Sequence, residues 1–216
     1  MVRLVLIRHA QAHCNIAGIV GGPQSCTGLT DHGRQQAALL AQRLQHDLSN
    51  EDLPAAIFSS PRRRAIETAA AVADALGLPN TELHDLRDPD YGPAADGQPW
   101  TTVTARARQS SSTSDMTVPL APGGEPWSHY ITRTADLIKR LTKQQPRAHI
   151  ILIGHAETVQ AAHQIFAGLP PMQKPPVRYE VENTSITLWR QRAATPIPCW
   201  TLVTHNDHHH LPRRRP

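Results

Sequence analysis

The stretch Leu4-Val5-Leu6-Ile7-Arg8-His9-Ala10 decides the fold, because a short apolar run breaks abruptly into an arginine, a histidine and a small residue. Short apolar runs bounded by a polar turn are typical of buried strands. In an open α/β sheet, ligands bind beyond the carboxyl ends of the strands. We therefore expect Arg8 and His9 to lie at the mouth of a binding pocket.

The length and composition indicate one α/β domain. The chain has 216 residues, which is enough to bury a full core, and 39% of them are hydrophobic. Only 4% are aromatic, so the core must consist mainly of Leu, Ile, Val and Ala. The cysteines are too few and too scattered for a disulfide framework or a zinc site, which favours a reducing compartment. They are Cys14, Cys26 and Cys199.

The sequence predicts neither a membrane partner nor a nucleic-acid partner. No apolar run approaches the roughly 18 residues of a membrane span, and the first residues lack the pattern of a signal peptide, so we expect a cytoplasmic protein. The formal net charge is +4, but Arg213, Arg214 and Arg215 supply three of these charges and leave +1 for the rest. Arginine far outnumbers lysine, which fits a phosphate ligand because guanidinium groups bind phosphate in a bidentate manner.

Two more predicted strands are followed by turns that contain candidate functional residues. Strand 55–58 is followed by Ser59-Ser60-Pro61-Arg62-Arg63-Arg64, whose proline is typical of the first turn of a helix. Three positive charges in this turn interact unfavourably with the positive end of the helix macrodipole. An anion bound between them would offset that electrostatic cost. A solvated basic turn is the alternative interpretation. Strand 149–153 is the clearest buried run, and it ends in Gly154-His155.

These turns predict a cationic pocket at one edge of a parallel sheet, because the carboxyl ends of parallel strands meet there. Its predicted members are Arg8, His9, Arg64 and His155, with Asp88 arriving from a loop.

Four helices are predicted around the sheet. Thr30 is the expected N-cap of the first, which ends at residues 50–54, and Gly77 is expected to end the second. Ser128 is the expected cap of a third helix that ends at Pro146. The fourth follows His155 and runs to about residue 167.

The remaining segments complete a predicted three-layer α/β/α sandwich with a mostly parallel central sheet, antiparallel edge strands and a lid-like insertion at about 88–122. Stretches 184–190 and 200–204 alternate in polarity as half-buried antiparallel edge strands do. Residues 13–26 are predicted as a loop, 81–86 as a short strand, and 101–108 as a weak helix within the insertion. A single domain is expected over 1–204, followed by a surface tail at 205–216.

In order and spacing, these motifs resemble the histidine phosphatase superfamily, also called the phosphoglycerate mutase-like family. Arg8-His9-Ala10 with Asn15 resembles the family's Arg-His-Gly signature and its downstream asparagine, and 59–69 resembles its second block. The other matching segments are Leu29-Thr30 with Gly33, Gly123-Gly124-Glu125 and Gly154-His155.

The chain departs from the family pattern at three places. Ala10 stands where glycine is usual, Asp88 stands where many members have glutamate, and the aromatic residue expected around 93–95 is absent. Because aspartate is one methylene shorter than glutamate, other acids remain candidates for the proton donor. The rival acids are Asp85, Asp90 and Asp96.

The resemblance implies a phosphomonoester hydrolase that acts on a small soluble phosphorylated metabolite without a metal or other cofactor. His9 would be the nucleophile and Asp88 the proton donor. The implied phosphate-binding residues are Arg8, Asn15, Arg64 and His155. An imidazole with its reference pKa of about 6.5 is largely neutral at pH 7, and nearby arginines would favour the neutral form further.

Several alternatives stay open on sequence alone. A phosphoglycerate mutase is the nearest rival, although the Glu-Arg-His-Tyr-Gly insertion of the family's mutases is absent. A phosphoprotein phosphatase and a non-catalytic phosphate-binding module are the others. Oligomeric state is unspecified, and a homodimer is not excluded.

Some further polar and aromatic side chains have two interpretations. Glu157 either lines the pocket or favours a helix N-terminus by its charge, and Tyr91 and Trp100 are candidates for substrate contact. His13, His149 and His163 are expected to be structural. The histidines between 205 and 210 are expected to be solvated, with adventitious metal binding as the alternative.

Overall fold

A six-stranded mixed sheet forms the centre of the protein, and the run that ends at Arg8 is one of its inner strands. The computed structural model describes residues 2–49, 55–109, 115–192 and 199–212. The strands are β1 (Arg3–Arg8), β2 (Ala55–Ser59), β3 (Asn80–Glu82), β4 (His149–Gly154), β5 (Ile186–Arg192) and β6 (Cys199–Asp207). Their spatial order is β3-β2-β4-β1-β5-β6, and the first four are parallel.

The two C-terminal strands are antiparallel to their neighbours, but only one of them is an edge strand. β5 pairs with β1 on one side and with β6 on the other, so the prediction of an edge position is wrong for β5 and confirmed for β6. Polarity alternation reports how much of a strand is buried and does not identify its pairing partners, which are distant in sequence.

Among the residues that the structure describes, six α-helices surround the sheet. They are α1 (His13–Ala17), α2 (Asp31–Leu48), α3 (Arg63–Leu76), α4 (Trp100–Gln109), α5 (Trp127–Gln144) and α6 (Ala156–Phe166). Val5 and Ile7 of β1 belong to a core with α2 and α3, whereas Leu4 and Leu6 belong to a core with α5 and α6. Alternate side chains of a strand point to opposite faces, so this arrangement buries both faces and explains the continuous apolar run. The predicted three-layer α/β/α fold is confirmed.

The helix boundaries agree with the sequence where a local side chain or glycine sets them. Thr30 accepts a hydrogen bond from the Gly33 amide as the N-cap of α2, and Gly77 ends α3 in the left-handed conformation. Ser128 is not a cap, because α5 already begins at Trp127 and Ser128 is buried in its first turn.

The start of α3 also differs from the prediction. Arg62 occupies the N-cap position, so Pro61 precedes the helix instead of lying in its first turn. The hydroxyl of Ser60 accepts from the amide of the N-cap residue Arg62, at 3.3 Å, and not from an amide inside the helix. It also contacts His155, so the serine that the sequence suggested for a helix start supports a site histidine instead.

The predicted loops contain more regular structure than the sequence suggested. Helix α1 lies within residues 13–26, because the side-chain oxygen of Asn15 accepts from the Ala12 amide and closes its first turn. Strand β3 ends at Glu82, and a 3₁₀ turn (His84–Leu86) replaces the rest of the strand predicted at 81–86. The predicted weak helix is α4.

The insertion packs against the segment that contains α1. Val20, Ala95 and Val103 form a small buried cluster, with Tyr91 and Trp100 against it. This cluster fixes α4 next to the carboxyl edge of the sheet. The serine-rich stretch 110–114, the expected end of the first helix at 50–54 and the arginines at 213–215 lie outside the described residues.

Strand β6 continues to Asp207, three residues past the boundary that the sequence suggests between domain and tail. The prediction that the chain is surface from 205 onward is wrong for His205 and His210. His205 contacts His163 at 3.1 Å, and His210 contacts the Thr184 hydroxyl at 3.1 Å. These are tertiary contacts, which the composition of the tail does not reveal. The boundary of the single domain at 204 stays a proposal.

No helix in the described part of the chain is long and apolar enough to cross a membrane. Within the same residues, no group of three or more histidine, cysteine, aspartate or glutamate side chains is arranged to hold a metal ion.

Candidate active site

The carboxyl ends of β1, β2 and β4 converge on one cavity. The His9 amide donates to the Gly154 carbonyl at 2.9 Å, and the Ser60 amide donates to the Ile153 carbonyl at 3.0 Å, so the three turns lie side by side. The cavity has a volume of about 150 Å³. All six predicted site residues line it: Arg8, His9, Asn15, Arg64, Asp88 and His155.

The imidazole of His9 is held in one tautomer. Its Nδ1 lies 2.7 Å from the Ala10 carbonyl oxygen, which can only accept, so Nδ1 carries the proton. Nε2 then presents a lone pair, and it accepts a hydrogen bond of 3.0 Å from Nε of Arg64. Burial lowers the pKa of His9 well below its usual value, and the charge of Arg64 lowers it further. His9 is therefore a neutral base whose lone pair faces the cavity.

Arg64 connects the groups of the site. Its Nη1 donates to the Gly21 carbonyl at 2.6 Å, and its Nη2 donates to Asp88 at 2.6 Å and to Nδ1 of His155 at 3.1 Å. A Cβ added to Gly21 would lie 2.9 Å from Nη1, so only glycine lets the backbone approach the guanidinium this closely. The fork geometry of arginine serves all these acceptors at once.

His155 is neutral in this arrangement. It accepts from Arg64 through Nδ1, so its Nε2 carries the proton and donates to the Ser60 hydroxyl at 2.8 Å. Burial lowers the pKa of His155 to about 3, although Asp88 opposes the shift. His155 can act on phosphate as a cation only if a bound anion raises this pKa.

Asp88 is clamped between two arginines. One carboxylate oxygen accepts from Nε of Arg62 at 2.8 Å, and the other accepts from Nη2 of Arg64 at 2.6 Å. Burial by itself would raise the pKa of Asp88, but His155, Arg64 and Arg62 together hold it well below its usual range. Without a ligand, Asp88 is a carboxylate.

The three rival acids lie outside this cluster. Asp85 pairs with Arg140 on the surface, and Asp90 accepts from the Gly92 amide on an exposed loop. Asp96 accepts from Ser25 and from the amides of residues 22, 24 and 25. Among the four acids that the sequence leaves open, Asp88 is the one that contacts Arg64.

Arg8 and Asn15 line the cavity but have structural contacts as well. Nη1 of Arg8 donates to the Val181 carbonyl at 2.6 Å, which fixes its direction. The Asn15 oxygen is used by the Ala12 amide, so this side chain faces a ligand only through its amide nitrogen. Backbone contacts thus pre-orient both groups.

Part of the cavity wall consists of residues that the sequence left ambiguous. The Tyr91 hydroxyl donates to Glu157 at 3.2 Å, and the Tyr91 ring packs edge-to-face on Trp100 with centroids 4.9 Å apart. All three side chains line the cavity. Glu157 therefore lines the pocket, as one of its two interpretations predicted. It also lies in the first turn of α6, where its negative charge interacts favourably with the helix dipole.

Sequence reasoning assigned no individual role to Arg62, Ser60 or Gly21. Arg62 lies two residues before Arg64, and the arginine run was the available signal, but only the fold shows which arginine points inward. Ser60 lies just before these arginines, in the same segment 59–64. For Gly21 the sequence offers only a glycine-rich loop, because its carbonyl acts through the backbone.

A second cavity of about 150 Å³ adjoins the first, and the two share Asp88 and Tyr91. Arg62 and Asp96 contribute to its lining, together with loop residues 22–24 and 90–93. A leaving group larger than a few atoms would extend past Asp88 into this space.

Comparison with known proteins gives the same fold and chemistry. The profile of branch 1 of the histidine phosphatase superfamily matches residues 4–208. A metal-independent phosphoserine phosphatase of Arabidopsis thaliana is 27% identical over 169 residues, which cover 76% of this chain and 68% of the relative. A glucosyl-3-phosphoglycerate phosphatase of Mycolicibacterium vanbaalenii is 31% identical over 176 residues, covering 78% and 75% respectively.

A solved structure supports the same grouping. A mycobacterial glucosyl-3-phosphoglycerate phosphatase in complex with a vanadate (VO3) superposes with a TM-score of 0.78 and is 25% identical. The match covers 94% of this chain and 98% of that chain.

Proposed function

This chain belongs to branch 1 of the histidine phosphatase superfamily and is a phosphatase of that family, and from this premise we propose that it hydrolyses a small phosphorylated metabolite through a phosphohistidine on His9. The observation that carries the proposal is the orientation of His9, whose protonated Nδ1 is fixed by the Ala10 carbonyl while Nε2 faces the guanidinium of Arg64.

In the first step, Nε2 of His9 attacks phosphorus, and the bond from phosphorus to the ester oxygen breaks. The bound phosphoryl group takes the place of Nε2 as the acceptor for Arg64, which frees the lone pair for in-line attack. The phosphorylated ring gains positive charge, and the Ala10 carbonyl stabilises it through the Nδ1 proton.

Arg8 and Arg64 stabilise the charge on the phosphoryl oxygens, and Asn15 and His155 supply further hydrogen bonds. A phosphate dianion next to His155 raises the pKa of that imidazole, so substrate binding itself favours the protonated donor. Guanidinium groups thereby provide the electrostatic stabilisation in this proposal.

Asp88 acts as the proton donor once the substrate phosphate has replaced it as the ion-pair partner of Arg64. The dianion competes for the guanidinium that holds Asp88, and the loss of this ion pair raises the pKa of the carboxyl. Asp88 then protonates the departing oxygen and later removes a proton from water. The hydroxyl attacks phosphorus, the bond to Nε2 breaks, and phosphate leaves.

The proposal is tested with His9→Ala and Asp88→Asn. We expect His9→Ala to lower kcat on p-nitrophenyl phosphate by roughly a thousandfold or more. Rapid quenching of the wild type should trap acid-labile phosphate on the peptide that contains His9. Asp88→Asn should impair an alkyl phosphate by about a hundredfold or more and p-nitrophenyl phosphate much less, because p-nitrophenolate needs little protonation.

Three results would contradict the proposal. Phosphate trapped on another side chain would exclude His9 as the nucleophile. No turnover of any ester in a broad panel would favour a phosphate-binding module, and transfer of phosphate between two positions of a substrate would favour a mutase.

The substrate class is proposed as small and soluble because each of the two adjoining cavities holds only about 150 Å³. The names of the relatives suggest phosphoserine and a phosphoglycerate derivative as the first compounds to assay.

A further inference from the structure

Glu157 places a carboxylate in the wall of the catalytic cavity without an ion-pair partner among the described residues, although Arg8 is near enough to interact with its charge. Its Oε1 accepts a hydrogen bond from the Tyr91 hydroxyl, at 3.2 Å. Among the residues that the structure describes, no arginine, lysine or histidine nitrogen lies within 4.0 Å of the Glu157 carboxylate. By contrast, Asp88 in the same cavity is paired with two arginines.

Substrate binding leaves Glu157 without a cation in contact. Without ligand, Arg8 and Arg64 face Asp88 and Glu157, and both histidines are neutral. A phosphate dianion engages Arg8, Arg64 and the protonated His155, while Arg62 stays beside Asp88. The Glu157 carboxylate then lies near a dianion with no cation of the cavity left to contact it, which is unfavourable unless the substrate supplies a positive charge.

The position of Glu157 is fixed by its neighbours. Burial and the charge of Glu157 raise the pKa of Tyr91 well above its usual value, so the phenol keeps its proton and donates it to Oε1. The packing of Tyr91 on Trp100 holds the phenol in place. A favourable interaction with the dipole of α6 explains why a carboxylate is tolerated here, but an uncharged residue would fill that place equally well.

We propose that Glu157 selects phosphate esters whose leaving group carries an ammonium group close to the ester oxygen. The ammonium group contacts Oε2 of Glu157, the oxygen that Tyr91 leaves open, while the phosphate contacts Arg8 and Arg64. Because Glu157 lines the same small cavity as Arg8 and Arg64, we expect the two charges of the substrate to be a few bonds apart. This inference rests on the proposed phosphatase function of the same site.

The test uses two pairs of esters that differ only in an amine for a hydroxyl. Phosphoethanolamine is compared with 2-hydroxyethyl phosphate, and phosphoserine with 3-phosphoglycerate. In the wild type we expect kcat/KM to favour the amine in each pair by about tenfold or more, because hydrogen bonds between charged groups have that magnitude. Glu157→Gln keeps the size and the Tyr91 contact but removes the charge, and it should bring the ratio close to one.

Glu182→Gln is the matched control. Glu182 also acts electrostatically on Arg8, but it is exposed and does not line the cavity. The amine-to-hydroxyl ratio should therefore stay at the wild-type value in this variant. An equal fall of the ratio in both variants would mean a general effect on Arg8 and would overturn the proposal.

The ratio in the wild type tests the inference even if Glu157→Gln fails to fold. A wild type that hydrolyses p-nitrophenyl phosphate but shows a ratio near one in both pairs would refute selection by Glu157 and leave the phosphatase function intact. A ratio that Glu157→Gln does not change would refute it too, as would an equal loss on amine and hydroxyl esters. If the wild type hydrolyses no ester at all, the phosphatase function itself fails, and this inference fails with it.

Discussion

Adjacent arginines at the start of α3 have different tasks because the helix turns their side chains in different directions. Arg64 contacts His9, His155 and Asp88, whereas Arg62 contacts only the acid among these groups. Arg63 points to the surface and pairs with Glu67. Arg62 is therefore a positioning residue that acts through Asp88.

The contact between Arg62 and Asp88 predicts a change in the pH profile. Replacement of Arg62 by Gln removes one of the charges that lower the pKa of Asp88, so the carboxyl keeps its proton to higher pH. Because the protonated acid is the active form, we expect the alkaline limb of kcat for an alkyl phosphate to move upward by about one pH unit.

Arg63→Gln is the control for this measurement, since the Arg63 side chain is 67% exposed and that of Arg62 is 11% exposed. The control removes the same charge one residue away and should leave the profile where it is. The role of Arg62 would be excluded if both variants shifted the limb equally or if neither did.

At the scale of elements, α2 is held against the turn that carries His9. The Cβ of any residue at 33 would lie 1.9 Å from the Gln11 carbonyl oxygen, so the helix can approach this turn only with glycine there. The Thr30 amide donates to the same carbonyl at 3.0 Å. Close packing of the first turn of α2 thus fixes the segment that follows the nucleophile.

Gly33→Ala is expected to destabilise the protein, against the helix propensity of the two residues. Alanine favours a helix interior by about 1 kcal/mol over glycine, but overlap with backbone forces a shift that typically costs about 1–3 kcal/mol. Urea unfolding should show a net loss, and turnover should fall because the turn after His9 moves.

His32→Ala provides the comparison for Gly33→Ala, because residue 32 is exposed in the same helical turn. Its free energy of unfolding should stay within about 0.5 kcal/mol of the wild type. A stabilised Gly33→Ala would show that the helix can move away from Gln11 at little cost.

At the scale of the whole molecule, His9, His155, His163 and His210, all buried or half-buried, make stability sensitive to mild acid. Burial lowers the pKa of His155 to about 3 and those of His163 and His210 to about 4, and it also lowers that of His9. The unfolded chain takes up protons near pH 6.5, while the folded state resists them. This part of the stability is present above pH 6.5 and is lost as the pH falls through 5 towards 3.

The expected loss between pH 6.5 and 5 is up to about 2 kcal/mol for each of the buried histidines His9, His155 and His163, and less for the half-buried His210, whose charge water screens. Urea unfolding at pH 7 and pH 5 should reveal a difference of several kcal/mol. His163→Gln should reduce that difference, because His163 lies away from the cavity against Tyr179 and Trp189. Equal stability at the two pH values would contradict this prediction. Asp88 contributes only at lower pH, since the depressed pKa of a carboxylate matters below about 4.

The sequence by itself determined the layers and the location of the site. Each of these features depends on a few neighbouring residues: the doubly buried run before Arg8, the Thr30 cap, the Gly77 terminus and the polar turns after β1 and β4. Such signals are local in the chain, so they can be read without the fold. The rule that parallel strands end at a common edge then brought Arg8, His9, Arg64 and His155 together.

Only the tertiary structure decided the pairing of groups within the site and at the far side of the sheet. It brought Arg62 into contact with Asp88 and the Ala10 carbonyl into contact with Nδ1 of His9. It also placed Glu157 in the cavity wall without an ion pair among the described residues. It also put β5 inside the sheet and carried β6 past the expected tail. These outcomes depend on contacts between residues distant in the chain, whose energies are set by packing and burial and are not encoded in any short pattern.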